Sequence, residues 1–190
     1  MKFSQKEMED LVISWIVLGI AFAVFRLGVS SLVRNPLVIV QMLIIVGTAF
    51  VLHELSHKYV AQKYGLWAEY RKYTWGLVLA FFLALTRFIF FAAPGAVMIM
   101  GTGWVTPEIE AKTSLAGPVC NIAVGVTALL LKFAGFFTYF LAELAMINFF
   151  LAVFNLLPIP PMDGSKIMRY NPLLWIAVFV SAGLLLFISF

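Results

Sequence analysis

The chain has 190 residues, 63% of them hydrophobic and only 12% charged, with a formal net charge of +4. Soluble domains carry about 25% charged residues, so this composition and a mean hydropathy of +1.02 exclude an ordinary soluble enzyme and indicate a polytopic membrane protein. The length allows about five or six spans and no separate soluble domain, while the basic residues lie in short loops where they set orientation rather than attract nucleic acid.

The first predicted span covers residues 11–32. Its one charge, Arg26, lies far enough along to snorkel toward the surface. The segment is too long for a signal-peptide core and follows Glu7, Glu9 and Asp10, so it reads as a retained anchor. Pro36 suits the first turn of a second helix, predicted over 37–64 and ended by Gly65. Near its far end stand His53, Glu54 and His57, and the chain contains no other histidine. Residues four apart share a helix face, so both imidazoles can reach one metal ion while Glu54 leans toward a water held there. The bland alternative is a pair of hydrogen-bonded core histidines, which is costly inside an apolar helix. Most loop cations fall on the side of the N-terminus and of this histidine pair, and only Arg26, Arg34 and Lys132 fall on the other. The positive-inside rule therefore makes the N-terminus and the histidine end cytoplasmic.

Residues 75–105 are interrupted by Arg87, by Pro94-Gly95 and by Gly101 and Gly103. The expectation is a re-entrant helix followed by a short membrane-associated β element, with a two-span hairpin as the alternative, because irregular backbone at membrane depth must be covered or line a cavity. The next span, 115–132, carries the small residues Ala116, Gly117 and Gly125, which permit close helix approach, and Asn121, whose bland reading is interhelical glue. Residues 136–157 return the chain and carry Asn148 and Asn155. Pro158, Pro160 and Pro161 cannot continue that helix, so Asp163 is expected on a rigid, non-helical strut at the depth of the histidines. A last span covers 172–190. The single cysteine, Cys120, excludes an internal disulfide and a cysteine-based zinc site, and reads as packing.

A catalytic zinc usually has three protein ligands and one open position. His53 and His57 supply two. Among the acids only Asp163 combines the right depth with a helix-breaking approach, and a carboxylate there without a cation would be expensive. Glu54 is then the base that passes a proton to the leaving amine. Amide donors such as Asn121 and Asn155 suit an oxyanion or a substrate backbone.

These residues resemble the site-2 protease family of intramembrane zinc metalloproteases. His53 to His57 looks like its HExxH element, Gly117 to Asn121 its GPxxN element, and Asn155 to Gly164 its N-x-x-P-x-P-x-L-D-G element, with Met162 in place of the usual leucine. The resemblance implies an all-α polytopic membrane protein built as one membrane-embedded peptidase domain over 1–190 with a three-helix catalytic core, and no PDZ or CBS module is expected in the chain. It also implies one zinc per chain on His53, His57 and Asp163, Glu54 as base, substrate contacts from Asn155 and Asn121, and cleavage of a transmembrane protein substrate within the bilayer. The rival readings are a membrane metal-binding or transport protein using the same residues, against which Glu54 tells, and a catalytically silent relative.

Overall fold

The computed structural model describes residues 1–88, 92–101 and 105–190. It is a mostly helical polytopic membrane protein with one small sheet. Among the described residues five helices are long and apolar enough to cross a membrane, over Gln5–Leu27, Leu37–Lys63, Pro107–Phe133, Thr138–Asn155 and Pro172–Ser189. The chain divides into two compact units, one formed by Met1–Val51 and Glu69–Met98, the other by Leu52–Ala68 and Ile99–Phe190.

The first unit is built on α1 (Gln5–Leu27), followed by the short α2 (Val29–Arg34) and by α3 (Leu37–Val46). The helix that carries the first apolar run begins at Gln5, ahead of Leu11. Ser4 caps it by accepting the Glu7 N–H at 3.2 Å, and Glu7 and Asp10 lie buried inside it. Both carboxylates are tolerated because partners distant in sequence meet them. Glu7 Oε1 accepts the Tyr70 N–H at 3.0 Å, and Asp10 pairs with Lys72 at 2.5 Å and Lys6 at 3.2 Å. Tyr70 and Lys72 belong to β1 (Trp67–Lys72), a strand that pairs with β2 (Gly95–Met100). The Tyr70 hydroxyl donates to the Pro94 carbonyl at 2.9 Å and stands 3.0 Å from Ser14 Oγ.

Between the strands runs α5 (Thr74–Thr86). Its 13 residues make about 20 Å of helix, short of the ~30 Å hydrocarbon core. A short helix and a strand therefore occupy the stretch where a two-span hairpin was the alternative. Ile89 to Phe91 and Thr102 to Trp104, the rest of that stretch, lie outside the described residues. Packing of α1 on α3 uses glycine at a close approach: a Cβ on Gly19 would come within 2.5 Å of Leu43 Cδ2. Trp15 Nε1 donates to the Leu43 carbonyl at 2.7 Å, and one turn further on the helix widens into a π-helical turn over Gly47–Val51.

The second unit opens with α4 (Leu52–Lys63) and continues through α6 (Pro107–Phe133), α7 (Thr138–Asn155), α8 (Asp163–Tyr170) and α9 (Pro172–Ser189). α6 starts as its sequence dictates, with Thr106 accepting the Ile109 N–H at 3.3 Å and Pro107 in the first turn. Gly125 lets α7 approach: a Cβ there would lie 2.5 Å from Phe149 Cε1. After Asn155 the prolines hold an open turn in which the Pro160–Pro161 peptide bond is cis. Asp163 is not on a non-helical strut. It is the first residue of α8, whose Ile167 joins Ala152, Leu156 and Ala182 in an apolar cluster flanked by Trp175 and Phe179. Trp175 Nε1 donates to the Leu156 carbonyl at 2.8 Å, which fastens α9 to the same turn.

Candidate metal centre

All three candidate ligands lie in the second unit. One helical turn separates His53 from His57 on α4, and their rings meet edge to face with centroids 4.6 Å apart. The two Nε2 atoms are 2.9 Å apart. From α8, Asp163 Oδ2 comes within 3.1 Å of His57 Nε2 and 3.4 Å of His53 Nε2. The imidazole side chains are 4% and 9% exposed and the carboxylate 13%, so the cluster is shielded without being sealed. These three residues form the group among the described residues able to hold a metal ion, their ligand atoms all within 4.8 Å of one another.

The opposite ring nitrogens show what the cluster is built for. His53 Nδ1 lies 2.5 Å from Asn121 Oδ1, and His57 Nδ1 lies 2.7 Å from the Thr113 carbonyl. Each partner oxygen can only accept, so each Nδ1 carries the proton and each Nε2 turns a lone pair inward. Two imidazole lone pairs and a carboxylate oxygen then converge on one point, an arrangement that repels itself unless a cation stands between them. Two nitrogens and one carboxylate, each imidazole oriented from behind, match the donor set of a catalytic zinc site.

The Gly117-Pro118 pair of α6 shapes the wall of the site. A Cβ on Gly117 would stand 2.5 Å from His57 Nε2 and 2.6 Å from His53 Nε2. Only bare backbone fits there, so α6 meets the rings directly. Pro118 lies inside the helix and removes the bond its N–H would have made one turn back. Glu54 follows His53 on α4 and is half-buried.

The two asparagines behave differently. Asn121 is fully buried, with its carbonyl on His53 and its amide donating to Asn148 Oδ1 at 3.1 Å. Its polar atoms are therefore directed at the imidazole and at α7, away from the substrate contact expected of it. Asn155 is half-buried, and its amide donates to the Leu151 carbonyl of its own helix at 3.0 Å. Sequence reasoning missed Thr113 and the role of Gly117. A main-chain carbonyl has no residue signature, whereas the Gly-Pro step was visible and read as a packing feature and as part of the GPxxN element, without its contact with the two rings.

Comparison with known proteins identifies the family. The model of Peptidase family M50 matches residues 131–175, which include Asn148, Asn155 and Asp163. "Putative zinc metalloprotease MJ0611" of Methanocaldococcus jannaschii is 44% identical over 181 residues, covering 93% of this chain and 91% of that protein. This chain belongs to peptidase family M50, the site-2 protease family. Two further members are similar over shorter stretches. "Zinc metalloprotease MJ0392" of the same organism is 30% identical over 79% of this chain and 39% of its own length. "Putative zinc metalloprotease YwhC" of Bacillus subtilis is 33% identical over 64% of each. No solved structure matches the chain. Membership of M50 makes this a multi-pass membrane metalloprotease of a zinc-dependent family.

Proposed function

We propose that this M50 member is an intramembrane endopeptidase that hydrolyses a peptide bond of a transmembrane protein substrate within the bilayer, acting as a single membrane-embedded peptidase domain. In this reading one zinc per chain is held by His53, His57 and Asp163. Bound zinc supplies Lewis acidity, acidifying water and polarising a carbonyl. The observation that carries the reading is the convergence of two inward-facing Nε2 lone pairs and the Asp163 carboxylate on one point.

The chain's own groups perform the remaining work. Glu54, next to His53, takes the proton of the attacking water and delivers it to the departing amide nitrogen. Asp163 adds negative charge that balances the ion. Asn155, at the mouth of the proline turn, holds substrate backbone once a substrate amide displaces its bond to Leu151. Asn121 holds His53. The skew of loop cations supports a cell-membrane protein whose N-terminus and active-site end face the cytoplasm.

Zinc analysis of the purified chain, together with cleavage of a panel of transmembrane peptides, tests this. Glu54→Gln is expected to retain about one zinc per chain and to lose roughly 10²–10⁴-fold in cleavage rate. A mutant that cuts as fast as wild type removes Glu54 from the base role. Metal flux in proteoliposomes without peptide product identifies a transport protein instead.

A further inference from the structure

Behind the metal cluster lies a line of buried amides that the reaction does not itself require. It begins at the Leu144 carbonyl on α7, which can only accept a hydrogen bond. Asn148 Nδ2 donates to it at 2.9 Å. That fixes the sense of the Asn148 amide and leaves Oδ1 facing α6, where it accepts from Asn121 Nδ2 at 3.1 Å. The sense of Asn121 is fixed in turn, and its Oδ1 is presented to His53 Nδ1 at 2.5 Å. Asn121 and Asn148 are both fully buried, so no bulk water competes for these bonds.

An amide can be turned end for end at little steric cost, because oxygen and nitrogen are nearly the same size. If Asn121 turned, it would offer N–H to His53 Nδ1, move the ring proton to Nε2 and remove a lone pair from the metal cluster. Asn121 cannot prevent this alone. His57 has no such weakness, because its Nδ1 meets the Thr113 main-chain carbonyl, which has only one sense.

We propose that Asn148 is a positioning residue that fixes the His53 tautomer, and with it the zinc affinity of the site, by locking the sense of the Asn121 amide against the Leu144 carbonyl. The proposal rests on the zinc reading above and extends it to a residue on a third helix that touches neither metal nor substrate. Outer partners of metal-bound histidines typically govern about 10–100-fold in affinity.

The test uses the full chain in detergent, with zinc titrated against a competing chelator and ¹⁵N-histidine NMR of the zinc-free protein. Asn148→Leu is expected to lose about 10–100-fold in zinc affinity and to change the His53 spectrum from the Nδ1–H form to a mixture of tautomers. Asn148→Asp, buried as the neutral acid, donates to Leu144 and accepts from Asn121 as the amide does, and is expected to rescue both readouts. A folded Asn148→Leu with wild-type affinity and an unchanged His53 spectrum overturns the proposal. If that variant does not fold, Asn148→Asp decides: the Nδ1–H form and wild-type affinity support the relay, and loss of either overturns it. A wild-type chain that takes up no zinc defeats the metalloprotease reading, while the NMR comparison still judges the relay.

Discussion

At the scale of single residues, the cluster depends on charge and on space, and each can be removed separately. Asp163→Ala takes away the anionic ligand while leaving both imidazoles oriented by Asn121 and Thr113. Zinc content is expected to fall from about one per chain to a small fraction, as measured by elemental analysis after gel filtration. Full occupancy would place the third ligand elsewhere. Gly117→Ala leaves every donor in place but drives a methyl group to within 2.6 Å of both Nε2 atoms. The rings must shift, and chelator competition is expected to show at least about a tenfold weaker zinc site. His53, His57 and Asp163 were legible in the sequence because a four-residue spacing and a proline-rich approach are both visible in one dimension. The groups behind them were not. Asn148 is one amide in an apolar helix, and its role appears only when the neighbouring helices supply Asn121 on one side and a bare carbonyl on the other.

At the scale of elements, hydropathy located the long helices well and misplaced the polar ends. α1 begins six residues earlier than its apolar run because Glu7 and Asp10 find partners on β1, more than sixty positions away. β1 itself was hidden, since Trp67–Lys72 carries three charges and looks like a solvated loop until Tyr70 and Ala68 are seen to be buried. α8 was hidden by the prolines before it and by its length of eight residues. The join between α1 and β1 makes a stability prediction. Glu7→Ala leaves the Tyr70 N–H without its carboxylate and is expected to cost about 1–3 kcal/mol, read as a lower Tm in detergent. Glu9→Ala, on an exposed side chain, is expected to stay within about 0.5 kcal/mol. Equal losses in the two variants would show that Glu7 contributes no more than a surface charge.

For the molecule as a whole, the described residues include five helices long and apolar enough to cross a membrane, whereas the direction of insertion rests on the distribution of cations. In a Cys120→Ser background, an impermeant maleimide added to intact cells is expected to label Phe136→Cys, in the turn between α6 and α7, and to leave Lys2→Cys unmodified until the membrane is permeabilised. The reverse pattern would invert the protein. The contact of α6 backbone with the two rings has a broader consequence. Because each imidazole is propped from behind by Asn121 or Thr113 and seated against Gly117, the fold itself sets the orientation of the rings, and the ion has only to offset the repulsion among the three inward-facing donors. Small zinc modules fold only around their ion. Here the walls of the receptacle are built by the fold, so metallation is expected to be a late loading event, and a chelator is expected to empty the site reversibly without unfolding the chain.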